Sequence, residues 1–312
     1  MKIYNSKRGC LNFNHFLASL LYYADIIEVD NIKNSTIFNL YLDHTQEDII
    51  PSLGNEHLWT TCMFDRGVSP LIVNKFNKIL NNAECILTHT ITDEIPENIK
   101  NKCVLLPKFT INHTNLSNIQ KTENLVYFRG SLTNKIRKDV YNHIQKSNDT
   151  IFDVSLFLND SQSQIHKIDS NTFNNSPLPY LKYRKTLAKY VSSLCLPGHS
   201  PLTYRHIESF HSECNVLSFS PYFSNEYFLF RNLLHDSYIH LDYSLNDLID
   251  KAQYSLIPSK ENIERIRYNK DLYTNFWELE PNNVYKRHIW RHVSNQLQSI
   301  GVPIDNKKIP YK

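Results

Sequence analysis

Residues 184–220, RKTLAKYVSSLCLPGHSPLTYRHIESFHSECNVLSFS, constrain the fold more than any other stretch. They read as helix, short buried strand, tight loop, helix, buried strand. The strand candidates, Ser193–Leu196 and Asn215–Phe219, are apolar runs too brief for helices of their own. Two such strands joined through a helix form a parallel unit, because parallel strands need a crossover connection. In an open α/β sheet, the loop leaving a strand and opening a helix lies at the ligand-binding edge. Here that loop is Pro197-Gly198-His199-Ser200-Pro201. Ser200 is the expected N-cap, with Pro201 at the first helical position. Backbone N–H groups at such a helix start favour an anion.

The same alternation runs through the rest of the chain. A helical pattern through Phe13, Phe16, Leu17, Leu20 and Leu21 precedes a strand at 25–30. Strands follow at Thr36–Leu42, ending in Asp43-His44, and at His57–Phe64, ending in Asp65-Arg66-Gly67. Ser69 and Pro70 then open an amphipathic helix, and further strands fall at Cys85–Thr88 and Val104–Pro107. Residues 110–124 are polar without an apolar period, the signature of a linker. A second α/β series begins with strand Leu125–Phe128, loop Arg129-Gly130-Ser131 and helix Asn134–Gln145. Strand Ile151–Leu158 leads into the helix–strand–loop–helix–strand stretch, followed by strand Tyr238–Leu241 and helix Ser244–Ala252. Val284, Ile289, Val293 and Leu297 line one face of a last helix, Asn283–Ser299. The expected division is an N-terminal domain over 1–115, a second domain over 116–282, and a helix and tail over 283–312 that can pack back on the first.

Composition narrows the class. With 312 residues, 41% hydrophobic and 21% charged, the chain fits a globular protein of two domains or one large one. A net charge of +3 gives no mandate for nucleic acid. The six cysteines form no CxxC pair and mostly sit in strand-like runs, so buried free thiols are expected and no zinc site. His288 and His292 have no third ligand type nearby. The start shows no signal-peptide pattern and no apolar run approaches bilayer length, so a cytoplasmic protein is expected. The basic last helix, with Trp290 packing inward, is compatible with peripheral contact to an acidic membrane surface.

Two motifs carry chemistry. Phe128-Arg129-Gly130-Ser131 runs a strand into an Arg and a Gly, with Arg137 further on. The Gly permits close approach of backbone to a ligand, and the Arg forks suit phosphate. In the second motif, Arg205 and Glu208 are three apart and share a helix face, with Tyr204 beside them. Arg205 suits phosphate, and the Glu208 carboxylate suits a ribose diol.

These residues resemble the exostosin-type glycosyltransferases and related families of the GT-B superfamily. The resemblance rests on Phe128-Arg129-Gly130-Ser131, on Arg137, and on the unit from Pro197-Gly198 through Ser200 and Tyr204-Arg205-x-x-Glu208 to the strand at Val216-Leu217. It covers roughly residues 125–255. The chain departs from the pattern at Ser212-Glu213-Cys214-Asn215, where the family has small residues and a Gly, and at His199. The resemblance implies two Rossmann-like domains facing each other across a cleft, with a nucleotide-sugar donor held mainly by the second. Arg129 and Arg137 would face the diphosphate and Glu208 the ribose, with Gly130, Ser131, Gly198, His199, Ser200, Tyr204 and Arg205 completing the donor site. It implies an inverting transfer to a hydroxyl on a glycan, with no metal or other cofactor and no nucleic-acid partner. Such a transfer needs a general base from the N-terminal domain. Asp65 is the first candidate, because Asp65-Arg66-Gly67 follows a strand and precedes a helix; Asp43, His44 and His89 are the other strand-end candidates. A second reading of the same residues is a nucleotide- or nucleic-acid-binding α/β protein without transfer activity, supported by a pI of about 8.4. A third keeps the fold and takes modified DNA as acceptor.

Overall fold

A computed structural model describes residues 1–6, 11–24, 26–42, 47–63, 67–108, 115–116, 118–157, 178–198, 202–219 and 226–305. The chain forms two compact units. The first comprises Met1–Asn112, Asn225–Arg231 and Asn275–Lys312; the second comprises His113–Ser224 and Asn232–Thr274.

The first unit is built on strands β1 (Lys2–Asn5), β2 (Ile27–Glu28), β3 (Ile37–Tyr41), β4 (His57–Cys62), β5 (Cys85–Thr88) and, past the two-residue β6 (Ile91–Thr92), β7 (Cys103–Leu105). They form one sheet in the order β2-β1-β3-β4-β5-β7, parallel throughout. Such a sheet needs cover on both faces, and successive side chains supply it. Ile3, Ile37, Trp59, Leu87 and Val104 point to one face, packed with residues of helices Leu11–Tyr23 and Arg287–Ser299. Phe38, Leu58 and Ile86 point to the other, packed with helices Pro70–Lys75, Asn77–Asn82 and Glu97–Lys100. Trp290 is fully buried and stacks on Tyr23, with centroids 5.6 Å apart. The Gln296 amide bonds both backbone groups of Leu105, accepting from its N–H at 2.8 Å and donating to its carbonyl at 3.1 Å, and so covers part of the outermost strand.

The second unit carries β8 (Glu123–Ser131), β9 (Phe152–Phe157), β10 (Tyr190–Cys195) and β11 (Asn215–Phe219). The short β12 (Glu226–Tyr227) belongs to the first unit and pairs antiparallel with β6, and β13 (Ile239–Leu241) completes the second sheet. Its order is β13-β11-β10-β8-β9, again parallel throughout. From β8 the chain crosses to β9 on one side, then returns to β10 on the other. This places a topological switch point between the carboxyl ends of β8 and β10. Val126, Phe128, Leu194 and Leu217 fill one face with Val140, Ile144, Leu248 and Ala252 from helices Lys135–Ser147 and Leu248–Leu256. On the other face, Tyr127 and Tyr190 pack with Leu187 of helix Tyr180–Leu187. Helix Tyr204–His211 approaches the sheet through small polar groups, Ser209 Oγ donating to Ser193 Oγ at 2.9 Å.

The expected strands are present with shifted ends, whereas β1, β6 and β12 were not expected. Cys85–Thr88 and Asn215–Phe219 match to the residue, whereas the 25–30 strand shrinks to Ile27–Glu28 and the 125–128 strand grows to Glu123–Ser131. Helix Lys260–Leu272 was not expected from the pattern. It is held partly by buried asparagines: Asn262 donates to the Tyr254 carbonyl at 2.8 Å and Asn269 to the Ser237 carbonyl at 2.9 Å. A helix anchored by amides shows a weak apolar period.

Helix Tyr204–His211 also starts later than expected. Its N-cap is Thr203, not Ser200, and the Thr203 N–H donates to His206 Nδ1 at 3.1 Å, half of a capping box. His206 Nε2 then lies 2.9 Å from Ser218 Oγ on β11, which draws the helix start onto the sheet. At its other end, the Cys214 N–H bonds the Ser209 carbonyl and the Glu213 N–H the Phe210 carbonyl. This is a Schellman motif, with Glu213 in the left-handed region at φ 55°. Glu213 therefore occupies a backbone position that favours glycine, at a cost of about 1–2 kcal/mol. Its carboxylate lies 3.1 Å from Lys270 on a half-exposed surface. Glu213→Gly should raise the unfolding free energy by up to about 1 kcal/mol, whereas Glu213→Ala keeps the strain and lowers it; denaturant melts of both variants read the difference.

Candidate functional site

At the switch point, two side chains of the helix that follows β8 lace the β8 and β10 loops together. Asn134, the N-cap of helix Lys135–Ser147, accepts from the Arg137 N–H at 3.2 Å and donates to the carbonyls of Pro197 at 3.0 Å and Gly198 at 2.8 Å. Arg137 is buried. Its guanidinium donates to the carbonyls of Ser131 at 2.6 Å, Pro197 at 2.8 Å and Leu196 at 3.3 Å. Arg137 borders the cavity described next, and three of its nitrogens are engaged by backbone.

The cavity has a volume of about 280 Å³, near the lower bound of small-molecule sites. Arg129, Gly130 and Ser131 from the end of β8, Tyr180 and Tyr183 from helix Tyr180–Leu187, and Thr203, Tyr204, Arg205 and Glu208 all line it. Arg205 lies over Phe128, its guanidinium carbon 4.3 Å from the ring centroid, and donates through Nη2 to the Arg129 carbonyl. Its Nε and Nη1 are shielded from water and meet no acceptor among the described residues. This packing favours glycine at 130. A Cβ there would stand 3.1 Å from Arg205 Nη2 and 3.1 Å from Phe128 Cζ. At Gly198 an added Cβ makes only ordinary contacts, at 3.4 Å or more.

Glu208 sits on the same wall, almost wholly buried. Burial pushes its carboxyl above the usual range; the positive charges of Arg184 and Arg205 and the hydroxyls of Tyr183 and Tyr180 pull it back. Arg205 and Glu208 thus share a buried helix face rather than a solvated one, and no direct contact within 4 Å joins them as an ion pair.

Of the sequence-derived donor residues, Arg129, Gly130, Ser131, Arg137, Tyr204, Arg205 and Glu208 meet around this one cavity. Gly198 is tied to it through Asn134. His199 and Ser200 lie outside the described residues, as do the base candidates Asp65, Asp43 and His44. His89 follows β5 and is buried, its Nδ1 3.4 Å from Met63 Sδ. Sequence reasoning missed Tyr180, Tyr183 and Arg184, whose positions near the cavity depend on the crossover to β10. It also missed a polar row near the carboxyl edge of the first sheet. There Asn5 donates to Glu28 at 3.0 Å, Asn39 to Asn5 at 3.1 Å and Thr61 to Asn39 at 2.9 Å. Their only sequence signal is a polar residue inside each apolar strand.

No protein-family model and no curated protein matches the chain. Among solved structures, an alpha-glucosyltransferase in complex with UDP and a 13-mer DNA containing a central A:G mismatch is similar, with a TM-score of 0.55 at 11% identity over 94% of this chain and 99% of that one. OtsA in its apo form is similar too, with a TM-score of 0.53 at 8% identity over 95% and 78% of the two chains. At these identities the likeness shows the fold alone: two Rossmann-like α/β units with parallel sheets, the GT-B fold class.

The glycine contacts set a test of the cavity wall. Gly130→Ala should destabilise the protein by about 1–3 kcal/mol through overpacking against Arg205 and Phe128, whereas Gly198→Ala should stay within about 0.5 kcal/mol of the parent, both read by thermal unfolding.

Proposed function

We propose that the protein is a glycosyltransferase that takes a nucleotide-sugar donor in the cavity of its second unit and moves the sugar to a hydroxyl acceptor. One observation carries the reading: Arg205 lines the cavity, and two of its buried nitrogens, Nε and Nη1, meet no acceptor among the described residues. Leaving buried donors unpaired costs about 1–3 kcal/mol each, and a bound anion removes that cost. Arg129 on the facing strand end adds a second positive charge, which suits a diphosphate. Glu208 on the same wall accepts from a ribose diol. Tyr204, on the rim, offers a ring to a base or sugar.

In the transfer, the bond from the sugar to the diphosphate breaks as the acceptor oxygen bonds to the sugar. Arg129 and Arg205 stabilise the charge that develops on the departing diphosphate, so the chemistry asks for no metal on this reading. Arg137 acts indirectly by fixing the two loops. The acceptor proton goes to a general base, for which Asp65, then His44 and Asp43, are the proposed candidates. The exostosin-like motif order and an inverting outcome belong to the same proposal, with a glycan as the acceptor. The similar alpha-glucosyltransferase solved with DNA makes a DNA hydroxyl the second acceptor to assay.

The test is a thermal-shift screen with UDP, GDP, CMP and ADP sugars, followed by transfer assays on glycan and DNA that also read the product anomer. Stabilisation by one nucleotide sugar is expected. Arg205→Ala should weaken that binding by about 10- to 100-fold, the value of a charge-assisted hydrogen bond. Stabilisation by polynucleotide alone would select the non-catalytic nucleic-acid reading instead.

A further inference from the structure

The second unit holds another cavity, which the proposed chemistry does not use. Its lining residues Lys121, Ala188 and Ser212 lie just before β8, β10 and β11, so it sits at the amino edge of the sheet. The donor cavity lies at the carboxyl edge, and the two share no lining residue. The volume at the amino edge is about 270 Å³, close to that of the donor cavity.

Ser212, the C-cap of helix Tyr204–His211, is buried, and its Oγ meets no partner among the described residues. A buried hydroxyl left unpaired calls for an explanation, and this one borders open space. The charges around it are already balanced. Lys121 Nζ donates to the carbonyls of Tyr190 at 2.6 Å and Ser212 at 2.7 Å and lies 3.3 Å from Cys214 Sγ, which spends its three N–H bonds. Lys270 Nζ lies 3.1 Å from Glu213 Oε1 and 3.4 Å from the His211 carbonyl oxygen. Each lysine thus meets a carbonyl at the end of helix Tyr204–His211, where a cation is favoured. Glu213 is the lone carboxylate among the described lining residues, and Lys270 matches its charge. No excess charge is left to select an ion. What remains is the Ser212 hydroxyl, the third N–H of Lys270 and the second carboxylate oxygen of Glu213, beside apolar Leu116, Ile119 and Ala188. Glu213 keeps its carboxylate here at φ 55°, a backbone conformation that glycine adopts without strain.

We propose that this cavity binds a neutral sugar. A pyranose ring has an apolar C–H face and a rim of hydroxyls, each of which both donates and accepts. The C–H face packs on Leu116, Ile119 and Ala188. On the rim, one hydroxyl donates to Glu213, another accepts from Lys270, and a third pairs with the Ser212 hydroxyl. The strained glutamate then has a use that glycine could not supply. The inference is independent of the donor-site reading.

The experiment titrates the full chain with D-glucose, D-galactose, D-mannose and N-acetylglucosamine, with glucose 6-phosphate and inorganic phosphate as charged controls. Binding is read by calorimetry and by saturation transfer from protein to sugar. At least one neutral sugar should bind the wild-type protein, and more tightly than either charged control. Glu213→Gly should weaken that binding by about tenfold or more, the value of a hydrogen bond to a charged group. This variant is expected to be the more stable one, so its loss is not a loss of fold. Ser212→Ala should weaken binding by about three- to tenfold. Arg205→Ala, at the donor cavity, should leave it unchanged. Four outcomes overturn the proposal: no neutral sugar binds, a charged control binds more tightly, either Glu213→Gly or Ser212→Ala keeps wild-type affinity, or Arg205→Ala abolishes binding. None of the first three touches the donor-site reading, which the nucleotide-sugar screen tests separately.

Discussion

A parallel sheet must be covered on both faces, and most of this protein follows from that requirement. Apolar side chains go to the two faces of each sheet, beneath helices. Polar side chains that must stay hydrogen-bonded gather where the strands end, and in a parallel sheet all strands end at one edge. In the second unit the switch point between β8 and β10 opens that edge into a cavity. In the first unit the corresponding edge carries the Glu28-Asn5-Asn39-Thr61 row. The loops stay narrow because Asn134 and Arg137 tie β8 to β10 through backbone carbonyls.

Four arginines near one cavity do different work because their partners differ. Arg137 is engaged by three carbonyls and holds loops. Arg205 rests on Phe128, gives one nitrogen to the Arg129 carbonyl and keeps two others unspent. Arg129, two residues before the end of β8, lines the cavity itself. Arg184 is buried behind the wall, linked to Tyr180 and His211. Glu208 is the carboxylate among them, desolvated and held by positive charge. Desolvation makes each of these interactions stronger than it would be in water, so small changes of partner change function.

Much of this was legible in the chain. The short apolar runs at 85–88 and 215–219 identified strands to the residue, and the alternation with helical segments identified parallel sheets. Arg129, Gly130, Arg205 and Glu208 were readable as a group because each lies at a strand end or in the helix after one. Helix Lys260–Leu272 was obscured, since buried asparagine amides rather than an apolar stripe hold it. The start of helix Tyr204–His211 was misplaced at Ser200 because a Ser-Pro pair mimics a cap. The Thr203–His206 pair that performs the capping is stabilised by Ser218, a residue of the next strand.

The sequence by itself determined the α/β alternation and the residues at the strand ends, because periodicity and turn chemistry act over a few neighbouring residues. Only the tertiary structure decided which arginine keeps donors without an acceptor among the described residues. Arg137 and Arg205 look alike in the chain. Their acceptors, at Pro197 and Arg129, lie 60 and 76 residues away. A guanidinium is committed or unspent according to the carbonyls that folding brings beside it, and those carbonyls arrive from other strands of the sheet.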